Sequence, residues 1–144
     1  MITTYIQVRT MAFMGAMSVV PKVSSFGCRM AKVASNKSTY RKPVGAALLH
    51  KQRTVLGWNA QKSSPYVSKF YKERSRGRHA EAALFRNIIP GTFRGAKVFV
   101  YRERKDGSLA LSRPCEGCMN ILRLHDVKQV TYSTNEGGYV TERL

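Results

Sequence analysis

The chain reads as an α/β protein built on a mixed five-stranded sheet, and three observations carry that expectation. Segments of strand character alternate with segments of helical character along the chain. Two short strands separated by three polar residues predict an early hairpin, and Asn135-Glu136-Gly137-Gly138 predicts a late one, so the last strand should run antiparallel to its neighbour. At 144 residues the chain fits one domain with a core of its own.

Taken in order, Ser24-Ser25 can cap a helix that carries Phe26, Met30 and Val33 at helical spacing and should end near Asn36. Those three residues define its expected apolar side, with Cys28 inside it as a small packing residue. Lys37-Ser38-Thr39 leads through Pro43 into a nearly continuous apolar run, 44–50; Lys51-Gln52-Arg53 separates that run from 54–59, which completes the first hairpin. His50 reads as a surface residue at a strand end. A helix over 79–87 has Ala80, Ala83, Leu84 and Ile88 available for burial, and Pro90-Gly91 ends it. Residues 96–102 alternate into a third strand, and Lys105-Asp106-Gly107 is a turn signal. Pro114 suits the first turn of the next helix, whose apolar side is Met119, Ile121, Leu122 and Leu124. His125 is expected to cap that helix as an imidazolium. Residues 127–133 form the fourth strand and Tyr139-Val140-Thr141 the fifth.

Charge bounds the partners. The formal net charge is +17, and no Asp or Glu precedes Glu73, whereas Lys and Arg occur twelve times in that stretch. Such a surface attracts polyanions, although a basic protein need not bind them specifically. Residues 61–78 are the least regular part of the chain, dense in Lys69, Lys72, Arg74, Arg76 and Arg78 with Tyr66, Phe70 and Tyr71 among them. Cations that track phosphates beside aromatic faces that stack on bases suit single-stranded nucleic acid; a solvated basic helix with packed aromatics is the plainer alternative. The apolar run 11–20 is too short to span a membrane. Residues 1–22 are expected to form an N-terminal arm and 23–144 the folded domain, with no membrane partner. Three cysteines, two of them in a metal motif, argue against disulfides and for a reducing, cytoplasmic setting.

The chemistry sits in His79-Ala80-Glu81 and Pro114-Cys115-Glu116-Gly117-Cys118. A His and two Cys separated by two residues supply three zinc ligands, which leaves the fourth tetrahedral position for water. Glu81, two residues after the His, is placed to carry protons to and from that water as general acid and base. Cys115 and Cys118 fall near a helix N-terminus, whose partial positive charge favours thiolate. The alternative is a closed structural site in which Cys28 joins His79, Cys115 and Cys118.

The pattern H-x-E followed by P-C-x-x-C resembles the cytidine and deoxycytidylate deaminase superfamily of zinc nucleobase deaminases. The run 112–119, with Val98-Phe99-Val100-Tyr101 before it and Val130-Thr131-Tyr132-Ser133 after it, resembles small deaminase-like proteins of bacteriophages. The resemblance implies a three-layer α/β/α sandwich of the cytidine deaminase type, with Zn2+ as cofactor. It also implies that the backbone N–H of Ala80 meets the base carbonyl and that Asn59, in Gly57-Trp58-Asn59, holds the sugar hydroxyls; a turn-forming Asn is the plainer reading of that residue. Many members form dimers or tetramers that complete each other's pockets, which makes a homo-oligomer one state to expect. Free-cytidine deaminases resemble the antiparallel ending, whereas the His-Ala-Glu form looks like that of tRNA adenosine deaminases. The expected reaction is hydrolytic conversion of cytosine to uracil with release of ammonia, on a cytidine-type nucleoside or nucleotide or on a cytosine within single-stranded nucleic acid. The alternatives are deamination of adenosine in RNA and a non-catalytic zinc-stabilised nucleic-acid-binding module.

Overall fold

The computed structural model describes residues 25–60 and 79–144 together with the backbone of Met17–Val20. The five expected strands are Gly45–His50 (β2), Arg53–Trp58 (β3), Lys97–Tyr101 (β4), Gln129–Ser133 (β5) and Tyr139–Arg143 (β6). A further strand, Met17–Val20 (β1), lies within the stretch expected to be an arm and pairs antiparallel with β6 at the sheet edge. The order is β1-β6-β5-β4-β2-β3, and the β4–β5 pair alone is parallel among the described strands. A parallel pair needs a crossover, and Glu116–Leu124 (α3) lies within it. The late hairpin closes as expected, with Thr134 N–H donating to the Gly138 carbonyl at 2.9 Å.

Alternation along the strands builds two cores. Ala46 and Leu48 of β2, Val98 and Val100 of β4, and Val130 and Tyr132 of β5 face Ala80–Ala83 (α2) and α3. Ala47, Phe99 and Tyr101 point the other way, onto Phe26–Ser35 (α1). Helices therefore cover both faces, the three-layer sandwich expected.

α1 keeps its expected bounds but not its expected buried side. The Ser25 hydroxyl accepts from the Cys28 N–H at 3.3 Å, and Asn36 is the C-cap. Phe26 and Val33 are 49% and 42% exposed, while Gly27, Cys28, Ala31 and Ala34 are buried. Close approach selects the small face: a Cβ at Gly27 would sit 2.3 Å from the Phe99 ring, and one at Gly45 would sit 2.1 Å from the Ala31 carbonyl oxygen. Cys28 packs there as a small hydrophobe.

Three further expectations are corrected. The helix after His79 spans only Ala80–Ala83 and then tightens into turns, with Leu84 N–H bonded to the Glu81 carbonyl and Asn87 at φ 61°. Pro114 precedes the helix, whose N-cap is Cys115, and Leu124 is largely exposed. His125 is the C-cap of α3, yet it is fully buried and stacked on Phe85 with ring centroids 4.2 Å apart. Burial lowers its pKa, which disfavours the imidazolium expected at this cap.

Backbone atoms of α1 cannot yield to a methyl at position 45. Gly45→Ala is expected to cost about 1–3 kcal/mol by overpacking, seen as a lower urea midpoint with an unchanged slope.

Candidate active site

Two helix N-termini converge on one point. His79 is the N-cap of α2 and Cys115 the N-cap of α3, and both have extended backbone there (φ −78°, ψ 151° and φ −69°, ψ 170°). Cys118 follows in the first turn of α3, with the Met119 N–H bonded to the Cys115 carbonyl at 2.8 Å. α2 reaches this position because β3 carries Gly57: a Cβ there would lie 2.6 Å from the Ala80 carbonyl oxygen and 3.1 Å from the Ala83 Cβ.

His79 Nδ1 lies 3.6 Å from Cys115 Sγ and 3.4 Å from Cys118 Sγ. Zinc bonds of about 2.05 Å to nitrogen and about 2.3 Å to sulfur, at a tetrahedral angle, place such atoms about 3.6 Å apart. The donor set and its spacing fit zinc, and among the described residues these three form the group able to hold a metal. Cys28 lies on the opposite face of the sheet beside Ala31, Phe99 and Tyr139, so the closed four-ligand site is not formed. Hydrogen bonds from Cys118 and His79 pull the Cys115 thiol down to about 4, which presents a thiolate to a cation.

Glu81 follows in the first turn of α2 and is 5% exposed. Burial raises its pKa above the ordinary carboxylate value, against the pull of His79 and of a hydrogen bond from Cys118. Glu81 lines a cleft of about 380 Å3 together with His79, Ala80 and Cys115. That volume falls within the range of small-molecule sites.

The cleft opens where β2 begins and where β3 and β4 end, and it takes in Asn59, Arg102 and Ser112. Asn59 ties its rim together: Oδ1 accepts from the Val44 N–H at 2.9 Å and lies 2.6 Å from Ser38 Oγ, and Nδ2 donates to the Lys42 carbonyl at 2.8 Å. Ser112 anchors the segment leading into Cys115. Its hydroxyl accepts from the Ser133 N–H at 3.0 Å and lies 2.8 Å from Ser133 Oγ, which reaches the Ala110 carbonyl at 2.7 Å.

Several lining residues were not anticipated: Tyr40, Lys42, Arg102, Leu111 and Arg113. A usable signal existed for two of them, because Arg113 directly precedes Pro114-Cys115 and Arg102 follows a strand whose carboxyl end borders the crevice of a parallel pair. The basic aromatic segment 61–78 lies outside the described residues. Arg113 is held in a fork, with Nε and Nη2 donating to the Glu142 carboxylate at 2.6 and 3.1 Å, while the Tyr132 hydroxyl donates to the same carboxylate at 2.6 Å.

The architecture is that of the cytidine deaminases. Solved structures similar to this chain include a cytidine deaminase from Burkholderia pseudomallei, 19% identical with a TM-score of 0.59, covering 81% of this chain and 89% of that one. A dCMP deaminase from the cyanophage S-TIM5 is 20% identical with a TM-score of 0.51, covering 74% and 78%. A cytidine deaminase from Mycobacterium tuberculosis is 21% identical with a TM-score of 0.51, covering 80% and 85%. At these identities the likeness is one of fold. No family model matches the chain, and no curated protein matches it significantly. No helix among the described residues is long and apolar enough to cross a membrane.

Two outcomes follow from this geometry. Cys28→Ala is expected to keep one zinc per chain and Cys115→Ala to lose it, as measured by metal analysis after gel filtration. The second concerns acid. Arg113, and after it Tyr132, hold the Glu142 carboxyl below its ordinary value. A depressed folded pKa contributes stability that is present above the unfolded value and lost as pH falls through the folded one. Glu142→Gln should therefore flatten the fall in melting temperature below about pH 4.5, the ordinary glutamate range.

Proposed function

We propose that the protein is a zinc-dependent hydrolytic deaminase that converts the cytosine of a nucleoside or nucleotide to uracil and ammonia. One observation carries this reading: His79, Cys115 and Cys118 form a triangle of zinc dimensions, and two of its corners, His79 and Cys115, line one cleft with the buried Glu81. The cytidine deaminase architecture supports it.

His79, Cys115 and Cys118 would hold zinc, which when bound renders a water nucleophilic near neutral pH. Glu81 takes the proton from that water and passes it to N3 of the ring. Water oxygen would replace the amine at C4: Glu81 hands a second proton to N4, the C4–N4 bond breaks as the C4 carbonyl forms, and ammonia leaves. A low-dielectric seat suits this role, because burial raises the Glu81 pKa and so favours the protonated form that returns the proton. Ala80 begins α2, so its N–H is not engaged by the helix ladder, and it serves as donor to the carbonyl at C2. Tyr40 and Leu111 offer apolar faces to the ring. One Nδ2 hydrogen of Asn59 serves the Lys42 carbonyl, and the other is the donor assigned to a sugar hydroxyl.

Glu81→Gln keeps the shape and removes the proton carrier. That variant is expected to retain one zinc per chain and to lose about 100-fold or more of its ammonia release on cytosine compounds. Near-normal turnover by it would overturn the assignment, and a zinc-loaded wild type inert toward every cytosine compound would overturn the function.

A further inference from the structure

We propose that the cleft selects a cytosine mononucleotide over the nucleoside, with the phosphate monoester seated between Lys42 and Arg102 and beside Arg113. The inference rests on the deaminase reading and names the substrate class within it. It runs against the antiparallel ending of the sheet, which by resemblance belongs with enzymes of free cytidine.

Charge at the cleft carries it. Three cations line a cavity in which the sole carboxyl among the lining residues is that of Glu81, deep beside the metal ligands. Among the described residues, neither Lys42 nor Arg102 has a carboxylate within ion-pair distance, while Arg113 is forked onto Glu142. The rim thus holds two uncompensated positive charges and a third guanidinium whose charge is matched. A phosphate monoester carries about −1.5 to −2 at neutral pH, which two free cations balance; an uncharged sugar alone leaves them unanswered.

The backbone that carries Lys42 and Arg102 is fixed. Asn59 fixes the Lys42 backbone through its carbonyl, and Arg102 shares its N–H with Ser133 Oγ at 3.1 Å in the serine cluster that anchors Ser112. Arg113 lines the same cleft while its Nε and Nη2 are engaged by Glu142. Each charge-assisted contact to a phosphate changes affinity about tenfold or more.

The test uses the full chain loaded with zinc. Ammonia release is followed on cytidine, deoxycytidine, their 5′-monophosphates, and a single-stranded oligodeoxynucleotide carrying one cytosine. The expected result is a kcat/KM for the better monophosphate at least 30-fold above its nucleoside. Lys42→Ala and Arg102→Ala should each cut that ratio about tenfold, and Lys42→Arg should hold it within about threefold. Equal turnover of nucleoside and monophosphate, or a ratio unmoved by both alanine variants, overturns the phosphate seat and leaves the deaminase reading standing. An oligonucleotide that outruns the monophosphate also overturns it, in favour of a polynucleotide substrate. If no cytosine compound releases ammonia, the deaminase reading fails, and calorimetry of Glu81→Gln protein with the monophosphate against the nucleoside still decides the seat: equal dissociation constants overturn it.

Discussion

Close backbone contact between small helices and the sheet is the constraint from which the rest of this structure follows. Gly57 lets the carbonyl of Ala80 approach β3, and that contact sets where α2 begins. Since His79 is the N-cap and Glu81 lies in the first turn, the placement of the nitrogen ligand and of the proton carrier is inherited from a single missing side chain. A methyl at that position would shift a whole helix start, and shifts well under an ångström matter where three ligand atoms must meet one ion. The same device recurs on the far face, where Gly27 and Gly45 bring α1 down onto Phe99 and β2.

Buried polar clusters then convert this packing into a site. The Ser112–Ser133 pair satisfies backbone groups at the ends of β4 and β5 and fixes the approach to Cys115; Asn59 does the same for the rim that bears Tyr40 and Lys42. Each cluster joins segments that would otherwise be independent loops. Polar groups so enclosed are costly when unmatched, and that cost makes one arrangement of the cleft strongly preferred.

The parts of the site visible in the sequence are those encoded by short spacing. His79 and Glu81, and Cys115 and Cys118, are two or three residues apart, so residue type and offset alone suggest a metal and a base. The elements are legible for a similar reason, because the apolar run of β2, the alternation along β4 and the turn residues around Gly137 are local signals. What escaped is non-local. Nothing near Arg113 points to Glu142, and nothing near Lys42 points to Asn59. The buried face of α1 was misjudged because large apolar residues outweigh small ones in any periodicity count, whereas the real determinant was how near the sheet the helix had to lie. His125 was read by its place at a helix end, and its burial against Phe85 overrode that place.

The pairing of β1 with β6 has a meaning for solubility. β6 is amphipathic and short, and Met17 to Val20 cover its outer row of amides and carbonyls from Tyr139 to Glu142. Bared, such a row is a template for recruiting another chain. The opening segment thus acts as a guard rail for the strand that steadies Arg113, and a shorter form of the protein lacking it would trade a sealed border for a sticky one.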